Sequence, residues 1–175
     1  DKQQDKLTLS KNIMLGYGFN EIVSYAFIED KYAQLFNGQH QAVKLQNPIA
    51  GLNVMRTSLL AGLVKTLQAN VNRGHECVKL FELARVFHGE AFDEQPLYFS
   101  GLIYGKILPL SWNEKQRTVD FYDLKQVVEE VLSTFAGNAE FKATVIPSIY
   151  HPGRAARVLI NGLEVGYIGQ LHPEY

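Results

Sequence analysis

The sequence predicts an α+β fold, a mostly antiparallel sheet flanked by helices. Three observations carry that reading. Leu59, Leu60, Leu63, Val64, Leu67 and Val71 recur at helical spacing and put one apolar stripe against a core. Phe121, Leu124, Val127, Val128, Val131, Leu132 and Phe135 form a second such face. Asn161-Gly162 separates two β-rich runs, and Asn-Gly favours the positive φ angles of a tight hairpin turn. A length of 175 residues is enough for one domain with a real core and hardly enough for two, so a single domain over 1–175 is expected.

In chain order, Leu7, Leu9, Ile13, Met14 and Tyr17 suit an amphipathic helix ended by Gly16 and Gly18. Residues 21–27, EIVSYAF, alternate as a strand. Asp30 is expected to cap a short helix through Leu35 and Phe36, closed by Asn37-Gly38. Residues 42–46 are a short strand, and Asn47-Pro48 marks a turn before the central helix. Ser58 caps that helix, its hydroxyl accepting from a free N–H of the first turn. Gly74 stops it in the left-handed conformation. Residues 78–87, VKLFELARVF, follow as a strand, and residues 97–104 as another, closed by Gly105. Residues 107–118 read as a loop containing Pro109 and the one tryptophan, Trp112. Asp120 caps the next helix, Asp123 complements its dipole, and Gly137-Asn138 end it. Strands over 141–146, 155–160 and 164–171 complete the chain, with Gly166 and Gly169 marking a bulge or a close backbone approach.

Hydrophobic residues make up 46% and charged residues 20%, which argues for a packed core and against disorder. Lys and Arg number 17 against 18 Asp and Glu, a net charge of −1, so there is no cationic surplus to suggest direct nucleic-acid binding. No apolar run is long enough to span a bilayer, and the polar start, DKQQDKLTLSKN, is not a signal peptide. Cys77 is the only cysteine, which rules out an internal disulfide and a thiolate zinc cluster. A cytoplasmic location is expected. The chain starts inside a helix-like pattern and stops at His172-Pro173-Glu174-Tyr175, so it is expected to be cut from a longer polypeptide.

A search for chemistry finds no catalytic set. His40, His75, His88, His151 and His172 are scattered, with no helical HxxxH or HExxH pair, so no metal site is assigned. There is no phosphate-loop motif, and Gly16-Tyr17-Gly18 is explained by a helix stop. Cys77 at a strand entrance reads as a small buried hydrophobe. Glu82 stands in an otherwise apolar strand and therefore either faces solvent or pairs with a cation, Arg56 or Arg85 being the candidates. A structural ion pair is preferred to a catalytic acid. Such a scaffold leans towards binding or assembly.

Several segments in order resemble the β-subunit family of bacterial phenylalanyl-tRNA synthetase. They are residues 15–27 (LGYGFNEIVSYAF), Asn47-Pro48-Ile49, residues 55–60 (MRTSLL), Leu80-Phe81-Glu82, Val86-Phe87, residues 120–125 (DFYDLK), His151-Pro152-Gly153 and residues 171–174 (LHPE). The resemblance covers almost the whole chain. It implies a core similar to the catalytic module of class II aminoacyl-tRNA synthetases, in degenerate form, paired with a catalytic α subunit in an α2β2 heterotetramer.

In the class II pattern, motif 2 carries an arginine that holds the ATP α-phosphate. Glu82, Arg85, Phe87, His88 and Glu90 lie in the matching stretch, with His88 where the arginine would stand. A neutral imidazole lacks the fixed fork and permanent charge of a guanidinium. The motif 1 proline would fall near Tyr25, and residues 166–171, nearest to motif 3, contain no arginine. The resemblance thus implies no catalytic, cofactor or metal residue here. ATP, magnesium and tRNA belong to the whole enzyme. It implies an interface drawing on Leu15, Phe19, Tyr25, Phe27, Asn47, Pro48, Met55, Arg56, Ser58, Leu59 and Leu60. Two other functions compete with a non-catalytic assembly core. One is an active adenylate-forming domain using Arg85, Arg56 and Arg154, and the other is a class II-like regulatory paralogue that senses an amino acid.

Overall fold

The computed structural model describes residues 2–36, 40–107, 116–135 and 137–173. In chain order the elements are α1 (Lys2–Gly16), β1 (Asn20–Glu21), β2 (Phe27–Ile28), α2 (Asp30–Phe36), β3 (Lys44–Ile49), β4 (Leu52–Met55), α3 (Leu60–Asn72) and β5 (Cys77–Arg85). A 3-10 turn, Phe92–Glu94, precedes β6 (Leu97–Ile107). Then come β7 (Arg117–Thr118), α4 (Phe121–Ser133), β8 (Ala139–Lys142), β9 (Tyr150–Ile160) and β10 (Leu163–Leu171). This is an α+β fold with largely antiparallel pairing. The residues fall into two compact units, Asn20–Gly105 and Asp1–Phe19 with Lys106–Tyr175.

In the Asn20–Gly105 unit, β5 lies between β1 and β6. It pairs parallel with β1 and antiparallel with β6, where Glu82 faces Ser100 in register. The helix α3 covers this layer. Leu59 and Leu63 pack with Val78, Leu80 and Val86 as a buried cluster, so the periodic stripe read from the sequence does meet a strand. Ser58 Oγ accepts from the Leu60 N–H at 3.1 Å, although Leu59 occupies the cap position. At the other end Gly74, at φ 89°, donates to Val71 O, and His75 N donates to Asn70 O. These two bonds are the Schellman closure that a glycine past the last turn permits.

Four local expectations are corrected in this unit. Residues 21–27 are not one strand: β1 and β2 belong to different sheets, and residues 22–25 carry no ladder. Asn47-Pro48 lies inside β3 and makes no turn; the turn falls at Ala50-Gly51, with φ 48° and 85°. β3 is the edge of the sheet ordered β2-β4-β3, where a proline without an N–H is tolerated. β4, absent from the sequence reading, pairs with both β2 and β3. Asp30 lies within α2 and accepts from Gln34 Nε2, so it caps nothing, while its own N–H donates to Asn53 Oδ1. Gly105 does not end β6 either: it takes φ 92° opposite Cys77, and the strand continues through Lys106 and Ile107.

In the other unit, Lys106 and Ile107 pair with β7. β9 lies between β8 and β10. Ala156, Val158 and Ile168 form its core with Phe121, Leu124, Val128 and Leu132 of α4. Asp120 accepts from the N–H groups of Tyr122 and Asp123, and Asp123 accepts from the Asp120 N–H, so the cap is as expected. Asn161 and Gly162, at φ 51° and 79°, make the two-residue hairpin turn. The register slips next to both Gly166 and Gly169, and a Cβ on Gly169 would stand 2.4 Å from that of Ala155. β8 ends at Lys142, short of the expected 146. In α1 the buried positions are Ser10 and Met14, while Leu9 and Leu15 are exposed, so the buried stripe is narrower than the sequence suggests. The expected Asn37-Gly38 stop and most of the loop, including Pro109 and Trp112, lie outside the described residues.

Candidate functional site

Three segments of the Asn20–Gly105 unit meet at one buried charge pair. Arg56 follows β4 directly, and Glu82 is at the middle of β5. Arg56 Nη1 donates to Glu82 Oε1 at 3.0 Å, with only 7% and 2% of the two side chains exposed. Ser24 completes the arrangement. Its N–H donates to Oε1 at 2.9 Å, and its hydroxyl approaches Oε2 at 2.9 Å. Arg56 also donates through Nε to the Arg85 carbonyl and through Nη1 to the Ser24 carbonyl. Both ions are therefore paired and hydrogen-bonded, the condition under which charge is tolerated in an interior. Of the two candidate cations, the structure uses Arg56.

A glycine makes room for this node. A Cβ on Gly62 of α3 would lie 2.3 Å from Ser24 Oγ and 3.7 Å from Glu82 Oε2. Ser24 and Gly62 were not among the residues singled out in the sequence. Their signals were faint: a small polar residue amid apolar ones, and a glycine inside a helical run.

Past the end of β5 the backbone remains tied. Val86 N donates to Pro96 O, Phe87 N to Arg56 O and His88 N to Glu94 O. The His88 ring lies flat on His40, with centroids 3.5 Å apart and planes 4° from parallel, and it meets Tyr98 edge-on at 5.6 Å. Its Nε2 is 3.4 Å from the Thr57 carbonyl. Burial, with the His40 ring adding to it, lowers the His88 pKa below its ordinary value, against a smaller opposing pull from the Thr57 carbonyl. The neutral imidazole is thus favoured. Arg85 turns outward, its guanidinium 4.8 Å from the centre of the Phe92 ring and bonded to the Gln95 carbonyl. Glu90 is exposed and its carbonyl accepts from Gln95 Nε2.

The residues expected at an interface divide by exposure. Phe19, Arg56 and Leu59 are buried within the chain and serve its interior. Met55, Ser58, Leu60 and Phe27 are half-buried. Leu15, Tyr25, Asn47 and Pro48 are exposed. Tyr25 is 75% exposed and its neighbour Val23, within the resembling segment 15–27, 95%. Tyr25 stacks on Phe27 at 6.2 Å. Among the described residues no three His, Cys, Asp or Glu side chains are grouped to hold a metal. Among them too, no helix is long and apolar enough to cross a membrane.

The model of the phenylalanyl tRNA synthetase beta chain CLM domain matches residues 1–175. The chain is 42% identical over 168 residues to the phenylalanine–tRNA ligase beta subunit of Chromobacterium violaceum, covering 94% of this chain and 21% of that protein. It is 42% identical over 168 residues to the beta subunit of Neisseria meningitidis serogroup A, with the same shares covered. To that of Bordetella parapertussis it is 38% identical over 176 residues, 94% of this chain and 22% of that protein. The chain thus spans about a fifth of the length of the curated relatives it matches. With a family match over its whole length, the chain belongs to the beta chain CLM domain family of phenylalanyl-tRNA synthetase.

Proposed function

We propose that residues 1–175 are a single, degenerate class II synthetase-like domain of a phenylalanyl-tRNA synthetase β subunit, working in the cytoplasm. It assembles with a catalytic α subunit in an α2β2 heterotetramer that attaches phenylalanine to its tRNA at the expense of ATP. The observation that carries this reading is the state of the motif 2 position. His88 is held neutral in a stack of rings where a phosphate-binding arginine would stand. The other cations of the competing adenylate-forming reading are engaged elsewhere. Arg56 is consumed by Glu82, Arg85 lies on Phe92, and Arg154 donates to Gln170 Oε1. These residues do not fit a triphosphate with magnesium. A lost electrostatic contact of that kind costs about 3 kcal/mol of transition-state stabilisation.

Co-expression of a full-length β subunit carrying this core with its α subunit tests the assembly reading. A stable mixed tetramer is expected. A folded β subunit that does not pair with α would overturn it. ATP–pyrophosphate exchange by the isolated chain, abolished by Arg85→Ala, would establish the adenylate-forming alternative instead.

A further inference from the structure

We propose that His151 and His172 form a two-imidazole site for a transition-metal ion of the zinc class, which fastens the start of β9 to the end of β10. The two histidines stand far apart in sequence, each followed by proline, in His151-Pro152-Gly153 and His172-Pro173-Glu174. Neither has a part in the function proposed above. The fold brings their rings together, with centroids 6.4 Å apart and planes 31° from parallel. Bonds from an imidazole nitrogen to zinc are about 2.0–2.1 Å, so two rings on one ion stand with centroids about 5–6.5 Å apart. The observed separation lies inside that span, near its outer end, and side-chain torsions alone can shorten it.

The backbone is shaped for this approach. Tyr150 pairs with Leu171 and Ala155 with Gly169, so His151, Pro152, Gly153 and Arg154 bulge from β9 opposite Gln170 alone. Pro152 has no N–H for a ladder, and Gly153 takes φ 81°, a left-handed angle that favours glycine. Bulges re-aim side chains, and this one leaves the His151 ring beside that of His172. His172 follows β10 directly, and its N–H donates to Ile149 O at 2.7 Å, which fixes the other side of the site.

The ring chemistry fits a metal. His151 Nδ1 is 2.7 Å from the Pro152 carbonyl oxygen. A carbonyl only accepts, so Nδ1 carries the proton and Nε2 of the neutral ring keeps its lone pair. Metal-binding histidines have this arrangement, the second nitrogen donating to a carbonyl or a carboxylate. His172 needs only one of its two nitrogens for an ion, whatever the other one bonds. No phenolate joins them from Tyr150, whose hydroxyl pKa burial pushes up to about 12. Arg154, the charged residue of the bulge, donates to Gln170 Oε1 at 2.9 Å. Two imidazoles completed by water suit Zn²⁺, Ni²⁺ or Cu²⁺, and not Mg²⁺ or Ca²⁺, which take oxygen ligands. With two protein ligands in place of the four of a closed structural zinc site, the ion is exchangeable.

The test uses the full-length β subunit with its α subunit, stripped of metal by a chelator, with zinc chloride as the probe. Calorimetric titration is expected to find a zinc site that His151→Gln and His172→Gln each weaken at least about tenfold, with the metal-free Tm unchanged. Magnesium chloride is expected not to fill it. Diethyl pyrocarbonate, which modifies imidazole, reads the same site without a substitution. Zinc is expected to shield His151 and His172 together, as mapped by mass spectrometry, and magnesium to shield neither. Wild-type zinc affinity in either folded variant overturns the proposal. So does an unchanged modification rate at either histidine with zinc present, or equal shielding by magnesium. If a variant does not fold, the shielding decides. Both readouts are expected to be the same with the β subunit alone, so the assembly reading stands or falls separately.

Discussion

The carboxylate of Glu82 sits between Phe81 and Leu83 in β5 and receives bonds from Arg56 and Ser24. Removing it leaves a guanidinium in the interior without its counter-charge. Breaking one side of a buried pair costs about 3–5 kcal/mol, so Glu82→Ala is expected to lower the unfolding free energy by that much. The exposed pair Lys142–Glu140 is the control, and Glu140→Ala should leave the denaturation midpoint unmoved, because such surface pairs are solvated in both states. His88 makes a second prediction, with a sign. Its pKa is lowered from the ordinary 6.5, so the unfolded chain binds the extra proton first as pH falls. Stability should be full above about pH 6.5 and decline as pH drops from there through the lowered folded value. His88→Phe keeps a ring against His40 and Tyr98 but removes the proton site. Its stability between about pH 7 and pH 5 should slope less than that of the wild type, as read by urea denaturation at each pH. An equal slope would show that His88 does not contribute.

At the scale of elements, glycines divide by what stands over them. Gly62→Ala gains about 1 kcal/mol of helix propensity. It also drives a methyl group to 2.3 Å from Ser24 Oγ, and through Ser24 disturbs the carboxylate that balances Arg56. Overpacking of that kind costs about 1–3 kcal/mol by itself, so net destabilisation is expected. Gly166→Ala in β10 is the contrast, since open space surrounds that position and the Tm should change little. The same distinction explains what could be read from the sequence. The helices α3 and α4, the Gly74 stop, the Asp120 cap and the Asn161-Gly162 hairpin depend on residues a few positions apart, and they appear as expected except that α4 ends at Ser133, ahead of Gly137-Asn138. Residues 21–27 do not, because the Ser24 N–H is taken by a side chain 58 positions away. Proline at position 48 signals a turn locally, yet an edge strand accepts it, and the actual turn rests on Ala50-Gly51. The sequence left Glu82 either facing solvent or paired with Arg56 or Arg85. Only the fold could choose burial and Arg56, because Arg85, three positions along the same strand, falls on the opposite face from Glu82 and lies against Phe92.

At the scale of the whole molecule, charge decides how the chain meets other macromolecules. With 17 basic and 18 acidic side chains, this chain has a net charge of −1 and adds little net charge to the β subunit proposed to contain it. If the α subunit is met mainly through this chain, as the assembly reading has it, association should proceed at an unsteered rate of about 10⁵–10⁶ M⁻¹s⁻¹. Between about 50 mM and about 500 mM salt this rate should change by less than about threefold, because a screened field that is already weak has little to lose. Stopped-flow mixing of the β and α subunits across that range gives the measurement. A rate that falls tenfold or more with added salt would mean that charged groups guide the encounter, and the site of assembly would have to be sought outside this chain. A flat salt profile would place the binding free energy in uncharged contacts, which is what a chain of nearly balanced charge predicts under the assembly reading.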